Sequence, residues 1–162
     1  MSLGKLILPE LDDEMARTRT VLAAVPSELM SWQPRETMRS IGWNANHLAE
    51  IIGWTVDILE KTEFDIAPVD GPAYETPNIT DPHEIVTLFD AALVAARESL
   101  LAATDATFSE TWTMKMGGQT LFTMTKGDCF RRWVINHTVH HRAILSVYLR
   151  MQGVELAGVY DS

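Results

Sequence analysis

The spacing of hydrophobic residues predicts four long helices. Apolar residues recur every three or four positions, the period of an amphipathic helix, over residues 6–25, 40–61, 80–103 and 126–152. Residues suited to helix ends flank these stretches: Ser40 at the second, Asp81 and Pro82 at the third, and Gly153 after the fourth. We therefore expect an all-α fold, a four-helix bundle in a single domain over residues 1–162.

Two segments interrupt the helical pattern. Residues 63–82 are rich in proline and glycine, which predicts a long crossover between the second and third helices. Residues 111–125 alternate between apolar and polar positions around Gly117 and Gly118. This second segment is either a short β-hairpin before the fourth helix or an irregular loop.

Charge and composition exclude several classes of protein. The 162 residues carry 13 Lys and Arg against 22 Asp and Glu, a formal net charge of −9. A chain this acidic, without a basic cluster, is not expected to bind nucleic acid or an anionic membrane. The single cysteine rules out an intramolecular disulfide and a cysteine-based zinc site. With no apolar run of about 20 residues and no secretory signal pattern, we expect a cytoplasmic protein.

Three histidines are the strongest candidates for chemistry. His137 and His141 lie one turn apart on the apolar seam of the fourth predicted helix, so their rings can converge on one point. His47 faces inward from the second helix, between Trp43 and Ile51. Three imidazoles leave coordination positions open and suit zinc or nickel better than calcium or magnesium. The alternative is that they are core histidines whose nitrogens bond to neighbouring groups.

The other two histidines and the cysteine have simpler expected roles. His140 is rotated off the seam, which makes it a neighbour of the cluster rather than a ligand. His83 follows a proline at a helix start and is expected to be exposed. Cys129 is expected to be a buried, inert thiol. Tryptophans near the histidines either wall a cavity or belong to the core.

No residue stands out as the catalytic acid or base. Glu50 and Asp128 are candidate proton carriers, or else surface acids. Tyr148 is either a core residue or part of the site, and Arg142 either orients an anionic substrate or pairs with an acid.

Three sequence blocks resemble the DinB/YfiT-like superfamily of bacterial four-helix proteins. They are Asn46-His47-Leu48-Ala49-Glu50, then Asn136-His137-Thr138-Val139-His140-His141-Arg142-Ala143-Ile144-Leu145, and Leu149-Arg150-Met151-Gln152-Gly153-Val154. The resemblance implies a bundle with a long second connection, a homodimer, and a divalent metal held by His47, His137 and His141. Characterised members of that superfamily include S-transferases and isomerases that use low-molecular-weight thiols.

Two functions remain open from the sequence. The first is a metal-dependent enzyme, a thiol-dependent S-transferase or a hydrolase, that acts on a small molecule, with a low-molecular-weight thiol as one possible partner. The second is a non-catalytic metal-binding or dimerising bundle. They differ in whether the open side of the metal faces a cavity that contains a proton carrier.

Overall fold

The computed structural model describes residues 2–158 and is mostly helical. Its α-helices are Leu3–Ala23 (α1), Ile41–Ile51 (α2), Trp54–Glu60 (α3), Pro82–Ala102 (α4), Lys126–Phe130 (α5) and His137–Met151 (α6). A π-helical segment, Arg131–Asn136, joins α5 to α6. The second predicted helix is thus two helices that break at residues 52–53, and the fourth contains a π-helical stretch. The single-domain prediction also covers residue 1 and residues 159–162, which lie outside the described residues.

The predicted helix ends are mostly confirmed. The Ser40 hydroxyl accepts from the Trp43 backbone N–H at 3.1 Å, and Asp81 accepts from the His83 backbone N–H at 2.9 Å. Gly153 follows the fourth helical region with φ +77°. The first helix ends at Ala23, three residues before the proline at position 26. The side chains of Ser40 and Asp81 thus bond to backbone N–H groups that have no partner within the first turn of their helices.

The helices pack side by side around a common core. α1 packs against α4 and α6, and α2 packs against the same two helices. Fully buried residues from all four helical regions fill the interior: Leu11, Met15, Ile41, Leu48, Phe89, Leu100, Leu145 and Leu149. No helix within residues 2–158 is long and apolar enough to cross a membrane.

A small sheet corrects the all-α prediction. The strands Glu63–Asp65 (β1), Thr111–Met116 (β2) and Gln119–Thr125 (β3) form a sheet in the order β1-β2-β3. β2 and β3 form the predicted hairpin, so the irregular-loop alternative is wrong. Gly117 and Gly118 both have positive φ, as a tight two-residue turn requires. β1 lies inside the predicted crossover and pairs with β2 in parallel, which no local pattern had indicated.

Candidate metal centre

Three imidazole rings meet between α2 and α6. His47 comes from α2, His137 begins α6, and His141 lies one turn further along α6. The ring centroids are 5.1 Å apart for His47 and His137, 4.6 Å for His47 and His141, and 4.7 Å for His137 and His141. One ring nitrogen from each residue lies within 4.8 Å of the other two. The structure therefore brings together the three side chains that the sequence predicts to converge.

Two of the three rings are oriented by hydrogen bonds at Nδ1. His47 Nδ1 donates to the Glu50 carboxylate at 2.7 Å, because an ionised carboxylate can only accept. His141 Nδ1 lies 3.3 Å from the Asn44 side-chain oxygen. With Nδ1 occupied in this way, the Nε2 lone pair of each ring is free to accept a ligand.

The third ring carries a buried nitrogen without a hydrogen bond. His137 Nδ1 has no hydrogen-bond partner among residues 2–158. The Trp133 backbone, one turn earlier, raises the pKa of this ring as a hydrogen-bond partner, although its geometry falls outside that of an ordinary hydrogen bond to Nδ1. A buried polar atom without a partner costs free energy unless another group compensates.

Burial keeps two of the imidazoles neutral. Burial, together with the smaller effects of the neighbouring rings of His47 and His140, lowers the pKa of His137 to about 4. Burial also lowers the pKa of His141 to about 3, again with His47 as the next contributor. At neutral pH both rings are therefore deprotonated, which is the form that binds a metal ion.

Glu50 connects the histidine cluster to a tyrosine. Its side chain is buried, and its second carboxylate oxygen accepts from the Tyr74 hydroxyl. The Trp54 indole N–H donates to the same hydroxyl at 2.9 Å. Burial, followed by the hydrogen bond to Glu50, raises the pKa of Tyr74, so the phenol stays protonated. The structure thus places Glu50 in the site, and the surface-acid alternative is wrong.

Sequence reasoning missed Tyr74 because it lies in the crossover between α3 and α4. A pair of hydrogen bonds fixes the later part of that crossover against α2. The Asn46 side chain donates to the Ile79 carbonyl and accepts from the Ile79 backbone N–H, both at 2.9 Å. Asn46 immediately precedes His47 and is buried. A buried amide next to a candidate ligand is the one feature of the sequence that could have indicated a contact between α2 and the crossover.

The other candidate residues are placed in structural roles. Asp128 is exposed, and its carboxylate accepts from Thr125, the N-cap of α5. Tyr148 is a core residue that packs edge-on against Trp32 at 5.7 Å. Arg142 is buried and pairs with Glu14 of α1, so it is not free to orient a substrate.

His140 and His83 lie outside the three-ring cluster. Both side chains are exposed. The His140 ring approaches the edge of His141 with centroids 5.0 Å apart, as expected for a neighbour of the cluster.

An apolar cavity of about 170 Å³ adjoins the cluster, with His47 in its wall. Aromatic side chains form much of the lining: Trp54, Phe64, Tyr74, Trp112 and Trp133. Trp54 and Trp133 therefore wall the cavity, whereas Trp43 stacks on His47 at 4.6 Å. Cys129 also lines the cavity, and burial raises its pKa to about 12, which leaves the thiol unreactive at neutral pH.

Comparisons with known proteins agree on one family. The model of the DinB superfamily matches residues 10–145. A DinB-like protein from Bacillus cereus ATCC 10987 has a similar structure, with a TM-score of 0.73, 22% identity, and 95% of each chain covered. A DinB-like protein from Bacillus subtilis, YjoA, has a TM-score of 0.71 and 17% identity over 95% of this chain and 97% of its own. No curated protein matches the sequence. Because the family model covers most of the sequence, the chain belongs to the DinB superfamily.

Proposed function

We propose that this protein is a metal-dependent enzyme that acts on a small molecule and that His47, His137 and His141 hold its divalent ion. The observation that carries the proposal is the meeting of three imidazoles, one of which, His47, also lines an apolar cavity. A cluster of this kind combines a metal-binding set with space for a substrate beside it.

The donor set fits Zn²⁺ or Ni²⁺. Three ring nitrogens suit these borderline ions, whereas calcium and magnesium prefer oxygen ligands. Burial keeps His137 and His141 neutral, as metal ligands must be, through the lowered pKa of each ring.

His47, His137 and His141 would hold a divalent ion, which when bound would lower the pKa of a thiol or of water and so supply a nucleophile at neutral pH. The protein's own residues provide the rest. Glu50 holds His47 in the tautomer whose Nε2 is unprotonated. Tyr74 lines the cavity, and its hydroxyl, which donates to Glu50, is the group that would hand over or take up a proton. The aromatic walls exclude water from the bound substrate.

The combination of cavity and hydroxyl favours an enzyme over a non-catalytic bundle. A structural metal site has no need of an adjoining cavity or of a protonated phenol beside its ligands. Two reactions would use the same metal site, phenol and cavity: transfer of a thiol to an electrophile, and hydrolysis. The proposal retains the homodimer and the cytoplasmic location expected from the sequence.

The test measures metal content and turnover on the same preparation. Protein purified without added metal is reconstituted with Zn²⁺ or Ni²⁺, and bound metal is counted by elemental analysis. Glutathione and cysteine are then each supplied with 1-chloro-2,4-dinitrobenzene, and p-nitrophenyl acetate without thiol tests for hydrolysis. We expect turnover that a chelator removes and added metal restores. Stoichiometric metal without turnover on any thiol or ester would instead support the non-catalytic alternative.

Replacing Glu50 by glutamine is expected to lower metal affinity by about 10–100-fold, the usual cost of losing a partner that orients a histidine ligand. Glutamine keeps the shape of the side chain but removes the charge that favours the Nδ1–H tautomer of His47. Competitive titration against a metal-binding dye measures the change. Glu60→Gln, the same substitution at an exposed position in α3, is the matched control and should bind metal as the wild type does. Equal affinities in the two variants would show that Glu50 does not orient His47.

A further inference from the structure

The cavity beside the histidine cluster is sized for one ring. Its volume is about 170 Å³. An apolar protein cavity of about 150 Å³ stays dry and binds benzene. A single six-membered ring with a small substituent therefore fits, whereas a fused two-ring system requires more space than the walls leave.

The walls favour an aromatic ring in particular. Trp54, Trp112 and Phe64 present flat apolar surfaces to the cavity, and almost none of its accessible lining is polar. Aromatic pairs with offset or edge-on geometry are stabilised by about 0.5–1.5 kcal/mol beyond the area they bury. A charged or strongly hydrated group would lose its water here without gaining hydrogen bonds.

Polar atoms are confined to a few positions in this wall. One is His47, which belongs to the three-ring cluster, and another is the Tyr74 side chain bonded to Glu50. The buried Trp133 indole N–H has no hydrogen-bond partner within residues 2–158. The Trp133 ring lies 5.7 Å from that of His137, so these three residues mark the side of the cavity that borders the histidine cluster.

We propose that this cavity binds a monocyclic aromatic group of the substrate and thereby places the polar, reacting part of that substrate against His47. The part of this inference that concerns reaction of the bound molecule rests on the proposed function. Binding of the ring itself depends only on the shape and polarity of the cavity, so it requires neither metal nor turnover.

Titration of the full chain with toluene tests the proposal, with and without bound Zn²⁺. We expect saturable one-to-one binding by calorimetry and nuclear Overhauser contacts from toluene to the indole protons of Trp54 and Trp112. 1-Methylnaphthalene, which carries a second fused ring, should bind at least about ten-fold more weakly because accommodating it would require the core to expand.

A pair of variants on β2 localises the binding. Met114 lines the cavity, whereas Met116, two residues further along the same strand, is exposed. Met114→Trp should weaken toluene binding by about ten-fold or more, and Met116→Trp should leave it unchanged. Circular dichroism checks that each variant is folded, and Ile66→Trp replaces Met114→Trp if that variant is not.

The outcomes separate this proposal from the proposed function. Absence of saturable toluene binding, equal binding by the two β2 variants, or equal binding of the two-ring compound would each overturn the assignment of the cavity, whatever the metal content. Binding that follows the predicted pattern supports the assignment even if the protein takes up no metal, in which case only the metal-dependent function fails.

Discussion

Alanine at His47, His137 or His141 is expected to reduce bound divalent metal from about one ion per chain to background. Changing a residue that only orients a histidine ligand already costs about 10–100-fold in affinity, so loss of a ligand itself should cost more. Each variant also leaves only two imidazoles, and two histidines bind a metal ion no better than a pair on the protein surface does. Elemental analysis after reconstitution and dialysis measures the loss for each variant.

His140→Ala is the matched control for this series. It removes an imidazole from the same helix, and that imidazole lies next to His141 but outside the cluster. The variant should keep the metal content of the wild type. If all three cluster variants retain metal, or if the reconstituted wild type carries none, then these histidines do not form a metal site.

The convergence of the histidines could be predicted because it depends on helical periodicity. His137 and His141 are separated by one turn, and His47 lies on the buried stripe of α2, so each faces inward wherever its helix packs. The hairpin was also accessible, because Gly117 and Gly118 specify a tight turn locally.

Tyr74 could not be predicted as a member of the site, because its position depends on the path of the crossover. Tyr74 reaches Glu50 across 24 residues of sequence, and nothing local fixes that approach. It depends on the link between Asn46 and Ile79, and on β1, whose three residues pair with a strand far along the chain. Non-local pairs of this kind leave no periodic signal.

The π-helical segment before His137 was missed for a different reason. A π-helix adds about one residue to a turn, and over a single turn this hardly alters a pattern of apolar residues at steps of three and four. The segment Arg131–Asn136 still buries Val134 and Ile135, as an α-helix there would. Its position directly before a cluster histidine follows the tendency of such segments to occur at functional sites.

Arg142 combines deep burial with a full charge. The side chain is 2% exposed, and its guanidinium donates to the Glu14 carbonyl at 2.9 Å and to the Thr18 hydroxyl at 3.2 Å. It also forms an ion pair with the Glu14 carboxylate, which is itself largely buried. This network joins α1 to α6 at the turn that follows His141.

Arg142→Met is expected to lower the free energy of unfolding by about 3–5 kcal/mol. The substitution keeps most of the apolar volume but leaves the Glu14 carboxylate largely buried without its cation, and removal of one member of a buried pair costs about this much. Urea denaturation followed by circular dichroism measures the change. If Arg142 orients a substrate instead, Arg142→Met should lower activity and leave the free energy of unfolding unchanged.

Two further variants identify the cause of the loss. Adding Glu14→Leu to Arg142→Met removes the stranded charge, so the double variant should recover most of the lost stability, because a buried ion pair and an apolar pair of similar volume are often close in stability. Arg19→Met breaks an exposed ion pair with Asp90 and should leave the denaturation midpoint nearly unchanged. If the double variant is as unstable as Arg142→Met alone, the hydrogen bonds to the Glu14 carbonyl and to Thr18, rather than the charge pair, hold α1 against α6.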